Sequence, residues 1–147
     1  MNYPHITRDG KGNIIHQKDS DGYELWKEYD SNNNPIHYKN SKGFEFWQEF
    51  DSNNNRIHYK NFRGFEYWKE YDSNNNEIHY KNSYGYEEWR KYDSNNNIIH
   101  YKSSDGDERW YDSNENLIDN PNKVVELSLE DIAKKFNVSL ESLRIKD

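Results

Sequence analysis

The sequence has 147 residues and a formal net charge of −7, and it contains no cysteine. The lack of cysteine excludes disulfides, thiolate zinc sites and cysteine nucleophiles. The acidic balance makes direct nucleic-acid binding through phosphates unfavourable. Fewer than one residue in five is Leu, Ile, Val or Phe, but 16% are aromatic. Tyr and Trp must therefore supply the packing, which predicts a folded but thin protein without a deep core.

The N-terminal segment shows neither a charged flank nor an apolar run. We therefore predict no signal peptide and no transmembrane helix, and we expect a cytoplasmic protein that does not bind membranes.

A 21-residue period organises most of the chain. The same step separates five tryptophans, five histidines and five glycines: Trp26, Trp47, Trp68, Trp89, Trp110; His16, His37, His58, His79, His100; Gly22, Gly43, Gly64, Gly85, Gly106. A fixed period of this length is typical of repeat proteins, whose units are stabilised by stacking on their neighbours.

Each unit contains two turn motifs. The first is Asp-x-x-Asn-Asn, as in residues 30–34, and Gly12 stands at the position of Asn33 in the N-terminal half-unit. Gly and Asn both tolerate positive φ, so the motif predicts a three-residue hairpin loop that ends in a left-handed residue. The second motif ends in glycine, as at Gly43, and predicts the same geometry.

The runs between the turns are rich in aromatic and β-branched residues, for example residues 65–71 and 78–81. Such runs favour strands. We predict a mainly β fold, in which 21-residue β-hairpin repeats over residues 1–119 form an elongated antiparallel sheet. A C-terminal strand–helix segment over residues 120–147 would cap it.

Two three-residue loops and strict alternation would pair Trp26 with Tyr38 and Glu28 with Ile36 on one face of the sheet. The other face would carry Tyr23, Leu25, Lys27, His37 and Lys39. The tryptophan set repeats, whereas the position of Leu25 becomes Phe46, Tyr67, Glu88 and Arg109. We therefore expect the tryptophans to form the packed structural face.

The odd repeat length conflicts with this simple pairing, because successive tryptophans would fall on opposite faces. Either each unit holds a bulge or an even loop, or the faces alternate with a period of 42 residues. We favour the bulge, because identical units need identical environments.

The last unit is degraded, with Glu115 at the left-handed turn position. Beyond it, Val124–Leu127 predicts a short strand, and Ser128–Asp131 predicts a capping box at the start of a helix. Asn137 suits the helix C-cap. We expect this helix to cover one end of the sheet.

The turn pattern resembles the YD repeats of Rhs-type proteins. It is carried by Tyr29-Asp30-x-x-Asn33-Asn34 with Gly43 nine residues later, over about residues 9–119, although Asn replaces the motif glycine in every full unit. The resemblance implies strands of the kind that build large shells around toxin cargo, but this chain is too short to enclose anything. The Trp and Tyr content is also similar to choline-binding repeats. The C-terminal segment resembles part of a LysM module or of a helix-turn-helix.

Nothing in the sequence indicates an enzyme, a cofactor or a metal site. Carboxylates such as Glu24 and Glu28 recur in regular copies rather than in one asymmetric cluster, and there is no phosphate loop or nucleophile motif. Equivalent histidines should lie about 10 Å apart, which is too far for neighbouring copies to share a zinc ion.

We therefore expect a non-enzymatic protein that binds a macromolecular partner, in first place another protein, through an extended aromatic and acidic surface. An immunity-type or phage-type inhibitor is the narrower hypothesis. The alternatives are a carbohydrate or cell-wall binding module and a structural fragment of an Rhs-like assembly. The candidate binding residues are Phe46, Tyr67, Glu88, His58 and His79.

Overall fold

A computed structural model describes residues 4–124 and 126–143. The strands in these residues form one antiparallel sheet, and each strand pairs with the next one along the chain. They are β1 His5–Arg8, β2 Ile14–Lys18, β3 Glu24–Tyr29, β4 Pro35–Asn40, β5 Glu45–Phe50, β6 Arg56–Asn61, β7 Glu66–Tyr71, β8 Glu77–Asn82, β9 Glu87–Tyr92, β10 Ile98–Ser103, β11 Glu108–Tyr111 and β12 Leu117–Ile118. The predicted fold class is confirmed.

Both predicted loop types are present and share one geometry. In the first loop, the amide of Asn33 donates to the carbonyl of Asp30, and Asn33 is left-handed with φ 68°. In the second loop, Gly43 donates to the carbonyl of Asn40 at φ 82°. Asp30 and Asn40 each accept two further loop amides on one side-chain oxygen. Glu115, at φ 63°, also takes the left-handed position that was predicted for it.

One bulge in each full unit resolves the odd repeat length. Glu28 pairs with His37 and Tyr29 pairs with Pro35, so that Ile36 is the extra residue. The same shift recurs in the other long hairpins, where it leaves Ile15, Ile57, Ile78 and Ile99 as the extra residues. The predicted bulge is confirmed.

The bulge also corrects the predicted register. Trp26 pairs with Lys39, not with Tyr38. Beyond the next loop, His37 pairs with Trp47. Histidine and tryptophan therefore share one face, and the prediction that placed His37 with Leu25 is wrong.

A ladder of asparagine side chains joins the loops of successive units, which the sequence did not suggest. The Asn34 amide donates to Asp30 of its own loop and to Asn54 Oδ1 of the next loop, at 3.0 and 2.8 Å. The same inter-loop bond joins Asn13 to Asn33, Asn55 to Asn75 and Asn76 to Asn96. Glycine could adopt the left-handed backbone at this loop position equally well. Asparagine has the additional use that its side chain binds the preceding loop.

The C-terminal segment differs from the prediction. Residues 124, 126 and 127 form no strand, and Val125 lies outside the described residues. Helix α1, Leu129–Phe136, has the predicted capping box, with Ser128 and Asp131 bonding reciprocally, and Asn137 is the left-handed C-cap. Within the described residues α1 contacts a 3-10 turn, Leu140–Ser142, but no strand. The capping of the sheet by this segment stays a prediction. No described helix is long and apolar enough to cross a membrane.

The asparagine ladder predicts opposite effects of one substitution at two loops. Asn54→Gly keeps the left-handed backbone but removes the acceptor for Asn34, and should lower the free energy of unfolding by about 0.5–1.5 kcal/mol. Glu115→Gly should instead raise it by about 1 kcal/mol, because it relieves a left-handed non-glycine residue. Urea unfolding of both variants measures the contrast. Equal stabilisation of the two would show that the asparagine ladder does not contribute to stability.

The loop carboxylates predict a loss of stability in acid. The hydrogen bond from the Asn76 amide, aided by loop amides, lowers the pKa of Asp72 below its ordinary value of 3.8. A lowered native pKa stabilises the fold above the unfolded value, and this contribution disappears as the pH falls through the native value. As the pH is lowered from about 5 to about 2, the free energy of unfolding should fall, and it should fall less steeply in Asp72→Asn than in the unaltered protein. Parallel curves for the two proteins would contradict the assignment.

Candidate functional site

One side of the sheet, here called the tryptophan face, repeats the same kinds of side chain from unit to unit, although Lys91 replaces the second glutamate in the unit of β9 and β10. In the central unit these are Glu66, Trp68 and Glu70 on β7, with His79 and Lys81 on β8. Each histidine stacks on the tryptophan of the next strand. The ring centroids lie 5.2 Å apart for His16–Trp26, 5.1 Å for His37–Trp47, 5.3 Å for His58–Trp68, 5.4 Å for His79–Trp89 and 3.8 Å for His100–Trp110.

The histidines of the tryptophan face are held by carboxylates. His58 Nε2 lies 2.8 Å from Glu66, and Nδ1 lies 3.2 Å from Glu49. A neutral imidazole can donate only one of these bonds, whereas an imidazolium donates both. The bond from His58, followed by the contribution of Lys60, lowers the pKa of Glu66. His37 and His79 have the same two-sided arrangement.

The tryptophan face is not the packed face that the sequence predicted. Trp68 is 37% exposed, and the tryptophans Trp26, Trp47 and Trp89 are exposed to a similar degree. The error follows from the register, because the bulge moves the invariant tryptophan to the side opposite the ring of Tyr38.

The opposite side, here called the tyrosine face, is the better packed one. Five rings from adjacent strands form a continuous ladder, with centroid separations of 5.3–5.7 Å, in the order Tyr38, Phe46, Tyr59, Tyr67, Tyr80. Arg56 and Lys69 lie over the Tyr67 ring at 5.3 and 5.6 Å from its centroid. Tyr67 is only 7% exposed, and its hydroxyl has no hydrogen-bond partner in the described structure.

Glu88 continues this ladder as a buried charge that is fully paired. It is 8% exposed, forms an ion pair with Arg90, and accepts hydrogen bonds from Tyr86 and Tyr101 at 2.7 and 3.1 Å. The hydrogen bond with Tyr101, followed by that with Glu88, raises the pKa of Tyr86. The Glu88 carboxylate is therefore committed to internal bonds.

The five candidate binding residues do not form one site. Phe46, Tyr67 and Glu88 lie on the tyrosine face, where the last two are nearly covered. His58 and His79 lie on the tryptophan face, so the prediction that put the histidines on the same face as Leu25 and its equivalents is wrong. Their roles in binding stay a prediction.

The sequence reasoning overlooked three exposed aromatic side chains in the glycine-containing loops, Phe44, Phe62 and Tyr84. The available signal was Phe62, which stands where the other full units carry serine. As for metal binding, among residues 4–124 and 126–143 no three His, Asp or Glu side chains are grouped to hold an ion.

The fold has solved relatives, but the sequence does not identify a family. No protein-family model matches the chain, and no curated protein matches it in sequence. Two crystal structures, of TcdB2-TccC3-TEV and of TcdB2-TccC3-Cdc42, match it with a TM-score of 0.57 at 16% and 17% identity. The Photorhabdus luminescens Tc holotoxin pore with the TccC3-D651A mutation matches at 0.55 and 16% identity.

These matches cover 78% of this chain, whereas the chain spans only 6–7% of the matched chains. At such low identity they show a shared fold. The matched regions are short sections of much longer chains, and the resemblance to YD repeats stays a resemblance.

The reversal of the two faces predicts the stability of adjacent variants. Tyr67→Ala should destabilise the protein by about 3–5 kcal/mol, as expected for a buried aromatic ring. Trp68→Ala should cost less, about 1–3 kcal/mol, because more than a third of its side chain is already in water. Tyr67→Phe is the matched control and should be neutral or stabilising, since the buried hydroxyl has no partner. A larger loss in Trp68→Ala than in Tyr67→Ala would restore the original assignment of the faces.

Proposed function

We propose that this chain is a non-enzymatic β-hairpin repeat module that works by binding another protein along its sheet. The observation that carries the proposal is the exposed surface of 11034 Å². A compact monomer of 17.9 kDa should expose about 8,000 Å². The excess of about 3,000 Å² is ample for an interface that covers about 800 Å² on each partner.

The chemistry of the two faces supports a protein surface as the ligand. The tryptophan face offers alternating carboxylates, histidines and lysines around exposed rings, which suits the mixed polar and aromatic character of protein interfaces. Its histidines and carboxylates repeat in every unit and bind one another. This pattern favours a binding surface over a catalytic centre, which needs one asymmetric arrangement.

The same geometry argues against sugar stacking, the basis of the carbohydrate alternative. A sugar ring stacks on an open aromatic face. The two faces of Trp68 are approached by His58, from β6, and by Lys81 Nζ, from β8, at 5.3 and 5.2 Å from the ring centroid. What Trp68 presents to solvent is therefore mainly its ring edge.

A structural section of an Rhs-like assembly is the second candidate, and the fold similarity to TccC3-containing structures supports it. In that case the partners would be the strands that continue the sheet beyond β1 and β12. An immunity-type or phage-type inhibitor remains the narrower form of the first candidate. Both candidates act through surface contact without chemistry.

The test is capture followed by direct binding. The folded chain serves as affinity bait in a lysate of its source organism, a captured protein is produced separately, and the pair is titrated by calorimetry. We expect saturable binding with a dissociation constant of about 1 µM or tighter. Direct binding to a glycan array, with no protein that binds in the titration, would contradict the proposal. Concentration-dependent end-to-end association in sedimentation velocity would favour the structural section.

A further inference from the structure

Three consecutive glycine-containing loops, residues 40–44, 61–65 and 82–86, form one exposed aromatic surface at one end of the strands. Phe44 of the first loop contacts Phe62 of the second, with ring centroids 5.4 Å apart. Phe65 of the second contacts Tyr84 of the third at 5.5 Å. These four residues are here called the loop patch. Phe62 is 45% exposed and Tyr84 is 80% exposed.

The loop patch breaks the repeat at a position where the repeat has a structural use for serine. Ser41, Ser83 and Ser104 each accept a hydrogen bond, at 3.0–3.1 Å, from the backbone amide of Glu24, Glu66 and Glu87 respectively. Phe62 takes the same place in the unit of β5 and β6, and it has no hydroxyl to offer the amide of Glu45. The substitution gives up a local hydrogen bond and places a large ring in water, so the fold itself does not explain it.

The charges around the loop patch are unlike those of the rest of the chain. The Arg63 guanidinium lies 5.2 Å from the Phe62 ring centroid, and Lys42 Nζ lies 5.4 Å from that of Tyr23. Neither cation forms an ion pair with a carboxylate of the described residues, whereas Lys39 and Lys60 of the tryptophan face do.

The loop sequences give the same contrast. The three loops of the patch contain no Asp or Glu. The equivalent loops on either side, residues 19–23 and 103–107, contain two aspartates each. The loop patch, with its aromatic rings and neighbouring cations, therefore lies between acidic loops in a chain of net charge −7.

We propose that the loop patch binds an extended acidic segment of a partner protein, in which apolar side chains alternate with carboxylates. This inference rests on the proposed function and names the chemistry of the partner. The apolar side chains cover Phe62 and Tyr84, and the carboxylates pair with Arg63 and Lys42. Three loops about 10 Å apart span about 20 Å, which accommodates about six residues of extended chain.

The experiment uses the full chain and a fluorescein-labelled peptide of about eight residues, in which glutamate alternates with phenylalanine or leucine. Fluorescence anisotropy should show saturable binding that weakens between about 0.05 M and 0.3 M salt. Amide shifts in ¹⁵N-labelled protein should concentrate in residues 61–65 and 82–86. A peptide with lysine in place of glutamate is the charge control.

Two variants locate the site. Phe62→Ser restores the serine of the other units, so its melting temperature should not fall, and its affinity for the peptide should drop about tenfold. Arg63→Glu should weaken binding at least as much and remove most of the salt dependence. Phe136→Ser removes another exposed phenylalanine, on α1, and should change neither affinity nor the shift pattern.

Several results would overturn the inference. These are no peptide binding, equal affinity of Phe62→Ser, shifts centred on the tryptophan face, or tighter binding of the lysine peptide. Tighter binding of a single-stranded oligonucleotide at the same loops would also overturn it, in favour of a nucleic-acid ligand. If a captured protein still binds Phe62→Ser at wild-type strength, the proposed function stands and the loop patch is excluded as its site.

Discussion

Equivalent side chains of successive units lie on the same side of the sheet because each 21-residue unit contains one extra bulge residue. Two three-residue loops and an odd period would otherwise turn alternate units over. The bulge at Ile36 and at its equivalents restores the facing, so that each histidine lies beside the tryptophan of the next strand. The stacking of rings, the clamping of histidines by carboxylates and the continuity of the tyrosine ladder all depend on this single insertion.

A one-layer sheet has no second layer in which to bury a face, so each face must be stabilised by its own side chains. The tyrosine face is stabilised by its ladder of stacked rings, with the side chains of Arg56 and Lys69 lying over the Tyr67 ring. The tryptophan face is stabilised by ion pairs and ring stacking. Each such cross-strand pair contributes only about 0.2–1 kcal/mol, and stability comes from repeating it along the array.

Turns and strands could be predicted because their causes are local. The left-handed backbone at Asn33 and Gly43 follows from the residue type. The alternation of side chains between the two faces follows from the strand geometry between the turns. Which side chains share a face could not be predicted, because the odd repeat length required a bulge without showing which residue formed it. A shift of one residue then inverted the two faces and moved His58 away from Tyr67. The bond between Asn34 and Asn54 was equally hidden, since it joins loops whose distance only the assembled sheet defines.

In a repeat protein, variation between units is a weak sign of function unless the fold leaves the variation unexplained. Glu88 differs from its counterparts in other units, yet Arg90, Tyr86 and Tyr101 satisfy its carboxylate, so its variation is part of the packing. Phe62 also differs, but it lacks the bond that serine makes in its place and stays 45% exposed. The criterion that separates them is internal satisfaction rather than variability. Applied along the whole array, it shifts attention from the middle of the sheet to the loops at the end of its strands.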